Sequence, residues 1–180
     1  MQALEHIFKI CWKLDLASNT KPDLDGVFST FSQWIPNSSE IFVDVADYAH
    51  VNDGPLVYLS GHHVDYALDL SEGVYGLLYR RKQPVAGNLA ERLQSTLADF
   101  LERSEQFIQS EHLPGMGLNK NSLTLILNDR ALAPNKAETT DALRPHLEQA
   151  LVALGFKLKS LEVVSLKDAR RRWEAKLILE

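Results

Sequence analysis

A chain of 180 residues, 45% of them hydrophobic and 24% charged, has the make-up of one ordinary globular domain and can bury a core without disulfide or metal staples. Its 19 Lys+Arg against 24 Asp+Glu leave a net charge of -5, which argues against bulk binding to a nucleic-acid backbone. The one cysteine, Cys11, precludes an intrachain disulfide and fits a reducing compartment. Residues 1–6 lack the charged start of a signal peptide, and no window approaches the ~20 apolar residues of a membrane helix. The expectation is a soluble cytoplasmic protein with no membrane partner.

Along the chain, residues 5–14 alternate, with His6, Phe8, Ile10, Trp12 and Leu14 on one side, and predict a half-buried strand. Leu24, Val27, Phe28, Phe31 and Trp34 recur at helical spacing and predict an amphipathic helix that Pro36 ends. Residues 40–47 read as a strand with Ile41, Val43 and Val45 on one face. A polar loop, 48–55, leads to a meander of three strands over 56–82, with a turn at Ser71-Glu72-Gly73. Residues 88–111 give the clearest helix, capped by Asn88, with a stripe through Leu89, Leu93, Leu97, Phe100, Leu101, Phe107 and Ile108. That stripe covers one side, as suits a helix lying on a sheet.

Residues 123–127 are apolar on both faces and predict a central strand. A helix over about 141–154 follows, its start placed close to Pro145, and Gly155-Phe156 has the form of a glycine cap with its hydrophobic contact. Strands at 161–166 and 173–179 finish the chain. Residues 41–47 resemble residues 161–168, which suggests two ferredoxin-like βαββ halves, 1–82 and 120–180, linked by helix 88–111. With or without that repeat, the reading is a single α+β domain with helices packed on a mainly antiparallel sheet.

Polar residues concentrate between 44 and 65: Asp44, Asp47, His50, Asp53, His62, His63 and Asp65. Imidazole and carboxylate are the side chains of general acid–base catalysis and of zinc, manganese or iron sites. The catalytic candidates are His50, His63, Asp47 and Asp65; the metal candidates are these four with His62. On strand geometry His63 and Asp65 would share a face. The bland alternative is turn chemistry, in which Asp oxygens cap backbone groups. No zinc, calcium, Walker or nucleophile-elbow signature accompanies the cluster, and Gly115-Met116-Gly117 stands between a helix and a strand, the reverse of a dinucleotide loop. The identity of any cofactor is left open.

Two basic runs, Arg80-Arg81-Lys82 and Arg170-Arg171-Arg172, lie near Tyr75, Tyr79 and Trp173, as in stacking surfaces for single-stranded nucleic acid. Solvation of strand ends and hairpin loops is the commoner explanation of such runs, and a nucleic-acid partner is not the expectation. The leading expectation is a binding module for a small ligand or a protein, acting as a homodimer. The alternatives are a small metal-dependent or acid–base enzyme using the 44–65 cluster, and a nucleic-acid accessory protein using the arginines.

Overall fold

Alternation does make the first strand, but over a shorter stretch than the pattern spans. The computed structural model describes residues 4–18, 21–164, 168 and 170–180. Leu4–His6 form a 3-10 turn, closed by the Ile7 N–H on the Leu4 carbonyl at 3.1 Å, and strand β1 is Ile10–Leu16. His6 and Phe8 therefore precede the strand. A turn that buries every third residue mimics period two over so few positions.

Helix α1, Leu24–Asn37, begins at Asp23, whose carboxylate accepts the Asp25 N–H at 3.1 Å. Pro36 falls inside its last turn rather than after its end. Strands β2 (Phe42–Asp47), β3 (Pro55–Gly61), β4 (Val64–Asp69) and β5 (Gly76–Arg81) follow as an antiparallel meander. Helix α2, Leu89–Ile108, opens on a reciprocal capping box. Asn88 accepts from the Glu91 N–H at 3.1 Å, and Glu91 accepts from the Asn88 N–H at 2.8 Å. After β6 (Leu118–Leu127), helix α3 spans Ala137–Ala153. It starts before residue 141, with Pro145 in its interior. The carbonyl Pro145 leaves unbonded belongs to Asp141, an exposed residue whose backbone water can serve. Gly155 at φ 82° ends α3, and the Phe156 N–H returns to the Leu151 carbonyl at 2.9 Å. Strands β7 (Leu158–Val163) and β8 (Trp173–Leu179) complete the chain.

All eight strands form one antiparallel sheet in the order β2-β3-β4-β5-β1-β6-β8-β7. The fold is α+β. The first strand of the sequence lies in the middle, and the last is interior, so β8 is not the edge that its place at the chain end suggests. The edges are β2 and β7. In each half a strand–helix–strand passage leads from a central strand to an edge, across three strands in the first half and one in the second. This unequal insertion departs from two matching βαββ halves, and residues 165–167 of the proposed repeat lie outside the described residues.

The register defines two faces. Trp12 pairs with Tyr79 and Leu125, Tyr79 with Tyr66, and Leu125 with Ala175, so these side chains share one face. The helices lie on that face. The Trp12 indole N–H donates to Thr96 of α2 at 3.0 Å, the Trp173 indole N–H donates to Thr140 of α3 at 3.0 Å, and Trp34 of α1 meets the Tyr66 ring edge-on at 5.4 Å. The expected α2 stripe is the core, with Leu93, Leu97, Phe100 and Phe107 fully buried. On β2, by contrast, Phe42 and Val45 are buried while Ile41 and Val43 are 62% and 67% exposed. A bulge between Phe42 and Asp44 shifts the register and breaks the expected alternation. No helix among the described residues is long and apolar enough to cross a membrane.

Replacing Leu97 with Ala empties a fully buried site, and should cost about 2–5 kcal/mol in a denaturant melt. A loss below about 0.5 kcal/mol would contradict this packing.

Candidate functional site

The meander separates the 44–65 cluster instead of gathering it. Because β2 and β3 run antiparallel, Asp47, His50 and Asp53 stand at one end of the pair and His62 and His63 at the other. The β2 length between them is about 17 Å at roughly 3.3 Å per residue. At the first end Asp47 accepts from the Ala49 N–H at 2.7 Å and Asp53 from the Glu72 N–H at 3.2 Å, both as turn caps. His50 is exposed beside the Tyr48 ring. Asp44 accepts from the Val45 N–H at 2.9 Å. Among the described residues no three His, Cys, Asp or Glu side chains are grouped as a metal ion would require.

At the second end, His62 and His63 are the two residues of the β3–β4 hairpin turn, their rings edge-on at 4.6 Å. Being in a turn, His63 does not share a face with Asp65. Its Nδ1 lies 2.9 Å from Glu40 Oε1, and since a carboxylate only accepts, the ring carries its proton on Nδ1.

Asp65 points to the opposite side of the sheet, the one the helices leave open. Its side chain is fully buried and accepts from Tyr58 Oη at 2.6 Å, the Gly61 N–H at 3.1 Å, Arg80 Nε at 3.0 Å and Lys82 Nζ at 3.1 Å. Burial by itself would raise this carboxyl, but the bonds from Tyr58, Arg80, Gly61 and Lys82 together hold it below the ordinary carboxylate value. Nearby on the same face, Lys13 donates to Asp69 at 2.7 Å and to the Ser71 and Val74 carbonyls at 3.4 and 2.9 Å. Cys11 is buried there too, which pushes its thiol up to about 12 and makes it a poor nucleophile. These groups are satisfied, and read as supports for an uncovered sheet face. The second arginine run is likewise paired: Arg170 with Asp168, Arg171 with Glu72, and Arg172 with Glu174 at 3.8 Å.

Unsatisfied polar groups gather instead on the helix side, in a cavity of about 250 Å³ beside the His63–Glu40 pair. Tyr66 of β4 and Tyr79 of β5 are its buried phenols, their rings edge-on at 5.5 Å. Arg81 follows on the same face of β5. Asp99, Glu102 and Arg103 of α2 bound the cavity from above, and Glu40, Phe42 and Val64 complete it. Helical spacing puts Asp99 and Arg103 on one side of α2, three and seven residues beyond the Thr96 that Trp12 holds.

Several of these groups are already engaged. Glu40 serves His63, while the Arg103 guanidinium lies over the Trp34 ring at 4.8 Å and donates to Ser38 and Gln106. Others are not. The Tyr79 hydroxyl is buried with no hydrogen-bond partner. Arg81 uses Nε on the Gln83 carbonyl at 2.8 Å, and its guanidinium lies close enough to the Tyr79 hydroxyl to act against the effect of burial on that phenol. Asp99 and Glu102, exposed at the mouth, form no hydrogen bond or ion pair there either. Burial holds both phenols protonated and well above their ordinary range. Desolvation of its crowded carboxyl also raises Asp99, against the opposing charge of Arg81.

A larger cavity, about 360 Å³, lies on the other flank of α2. Its walls are chiefly Leu14, Leu97, Leu101, Leu123, Phe156 and Leu179, Lys120 at its rim is paired with Glu105, and Ser104 donates to the Leu101 carbonyl. Its one uncommitted polar wall group is Glu102, which it shares with the smaller cavity, so the smaller, polar cavity is the better candidate.

In the sequence Tyr79 and Arg81 stand out only as parts of a basic, aromatic run, and Asp99 and Glu102 only as residues off the apolar stripe of α2. Glu40 was not singled out at all. The available signal was the period of β5, which sends Arg80 and Arg81 to opposite faces and leaves Arg81 beside Tyr79. Neither known protein families nor characterised proteins include a match to this chain.

The Asp65 network makes a prediction about acid. A carboxyl depressed on folding stabilises the protein above its unfolded value, near 3.8, and that stability is lost as pH falls through the lower folded value. Asp65→Asn should cost about 1–3 kcal/mol at neutral pH and flatten the loss of stability below pH 3.8. Parallel acid melts of the two proteins would show it; an unchanged acid limb would assign that loss elsewhere.

Proposed function

We propose that this chain is a cytoplasmic module that binds a small polar ligand in the cavity between α2 and the β4–β5 pair. One observation carries the reading: the Tyr79 hydroxyl is buried in the cavity wall without a partner. Leaving such a group unpaired costs about 1–3 kcal/mol, a cost that a ligand accepting its proton would offset. Arg81 beside it, with several donors on one guanidinium, supplies the second contact a bound acceptor needs.

An acid–base enzyme is the second reading. It is favoured by the 2.9 Å approach of His63 to Glu40, a wall residue of the same cavity. The carboxylate would orient the imidazole as a general base. His63 itself does not line the cavity, and binding is therefore the stronger reading.

Tyr79→Phe separates ligand binding from scaffolding. The variant should be more stable than the parent by about 1–3 kcal/mol, and so melt higher, because a buried unpaired hydroxyl is gone. It should also lose amide shifts induced in the parent by a set of small carboxylates, amines, amino acids and polyols. A lower melting point would mean that the hydroxyl has a partner in the free protein, and the reading would fall. Consumption of a bound compound by the parent but not by His63→Ala would move the reading to catalysis.

The module is proposed to act as a homodimer. Edge strand β2 has unpaired backbone on one side and exposes Ile41 and Val43 beside it, a combination that invites pairing with a second copy. Light scattering at micromolar concentration should report twice the 20.3 kDa chain mass, reverting to one chain in Val43→Lys. A monomeric parent protein would remove the proposal.

A further inference from the structure

The charges around the polar cavity are of both signs, and they are held apart. Arg81 projects from β5 beside the buried Tyr79, on the sheet side, whereas Asp99 and Glu102 project from α2 at the mouth. Arg81 and Asp99 line one small cavity and form no ion pair. Two opposite charges sharing so small a space would normally close on each other; here the sheet and the helix fix their backbones on opposite walls. The remaining carboxylate, Glu40, is held by His63, and the remaining cation, Arg103, by the Trp34 ring, Ser38 and Gln106.

We infer that the ligand is a zwitterion of the α-amino acid type. Its carboxylate accepts from the Tyr79 hydroxyl and the Arg81 guanidinium in the interior, and its ammonium donates to Asp99 and Glu102 at the mouth. This inference rests on the reading of the cavity as a ligand site and adds the ligand class. A simple carboxylate would satisfy Tyr79 and Arg81 but bring a third negative charge toward Asp99 and Glu102. A simple amine would satisfy the mouth and leave the buried hydroxyl unpaired. Only a molecule carrying both groups meets both walls. Phe42 and Val64 supply the apolar part of the lining, so the favoured side chain is small and apolar.

The full chain labelled with nitrogen-15 is titrated with the standard L-amino acids, and with the deaminated and decarboxylated counterpart of each binder. For L-valine these are isovalerate and isobutylamine. Amide shifts at Tyr79, Arg81 and Asp99 report binding. The expected result is that a small apolar amino acid binds at least about tenfold tighter than either of its halves, and that Asp99→Asn and Arg81→Gln each weaken it by about tenfold, or roughly 1.4 kcal/mol. Asp99 is exposed and unbonded, so the Asn variant should fold as the parent does; its unchanged spectrum without ligand checks this. A half that binds as tightly as the whole overturns the zwitterion. So does Tyr79-dependent binding of a carboxylate, amine or polyol with no response to any amino acid, but that result leaves the cavity a ligand site. If none of these compounds shifts the three amides, both readings fall together.

Discussion

Much of this architecture hangs on one hydrogen bond, from the indole of Trp12 to the hydroxyl of Thr96. Trp12 is on β1, the middle of the sheet, with Tyr79 and Leu125 as its register neighbours. Thr96 is on the inner face of α2, the helix that links the two halves of the chain. A buried indole N–H must find an acceptor, and a helix offers one only where a hydroxyl stands on its inner side. The bond therefore fixes the rotation of α2 as well as its position. Trp173 and Thr140 repeat the device between β8 and α3. With α2 fixed in this way, Asp99 and Arg103 are carried over the ends of β4 and β5, where the polar cavity lies.

The open face of the sheet obeys a different constraint. Helices remove the other face from water, but here long charged side chains must do part of the covering. Lys13 and Asp69, Arg80 and Asp65, and Lys176 and Asp15 pair across neighbouring or nearby strands. Such pairs are weak evidence of net stability, yet removing one partner from a buried pair is expensive because it strands the other. Gly76 belongs to this arrangement. A Cβ there would stand 2.5 Å from Lys13 Cε and 2.7 Å from the Leu14 carbonyl oxygen, so the lysine can lie across β5 only because that position has no side chain.

Where a local pattern had a local cause, the sequence was a good guide. The α2 stripe, its Asn88 cap, the glycine stop at Gly155 and the alternation of β8 each depend on residues a few positions apart. Long-range causes were hidden. The bulge after Phe42 reverses the side on which Val43 lies, and bulges have no reliable signature in alternating residues. Pro145 pointed to a later helix start, because the solvent exposure that makes it tolerable comes from tertiary packing. The polar cluster misled for the same reason. Residues close in sequence were divided between two ends of a strand pair and two faces of a sheet. His63 found Glu40, 23 positions away, and Asp65 found Arg80, 15 positions away. Tyr79, Arg81, Asp99 and Glu40 meet because of strand order, which periodicity does not encode.

Cys11 gives the chain a built-in reporter. It is the one thiol, it lies in the central strand, and burial keeps it protonated and out of reach of reagents. Its side chain lies on the face the helices leave open, so the long side chains of neighbouring strands, Arg80 among them, must swing aside before it meets solvent. A thiol reagent added to the folded protein thus counts openings of that side-chain cover over the middle of the sheet, while fraying of β2 or β7 goes unrecorded. When reagent is slow and reclosing fast, the labelling rate measures the free energy of that opening; when reagent is plentiful, it measures the opening rate itself. The native sequence therefore offers a clock for its own interior, with no label to introduce and no competing site to remove.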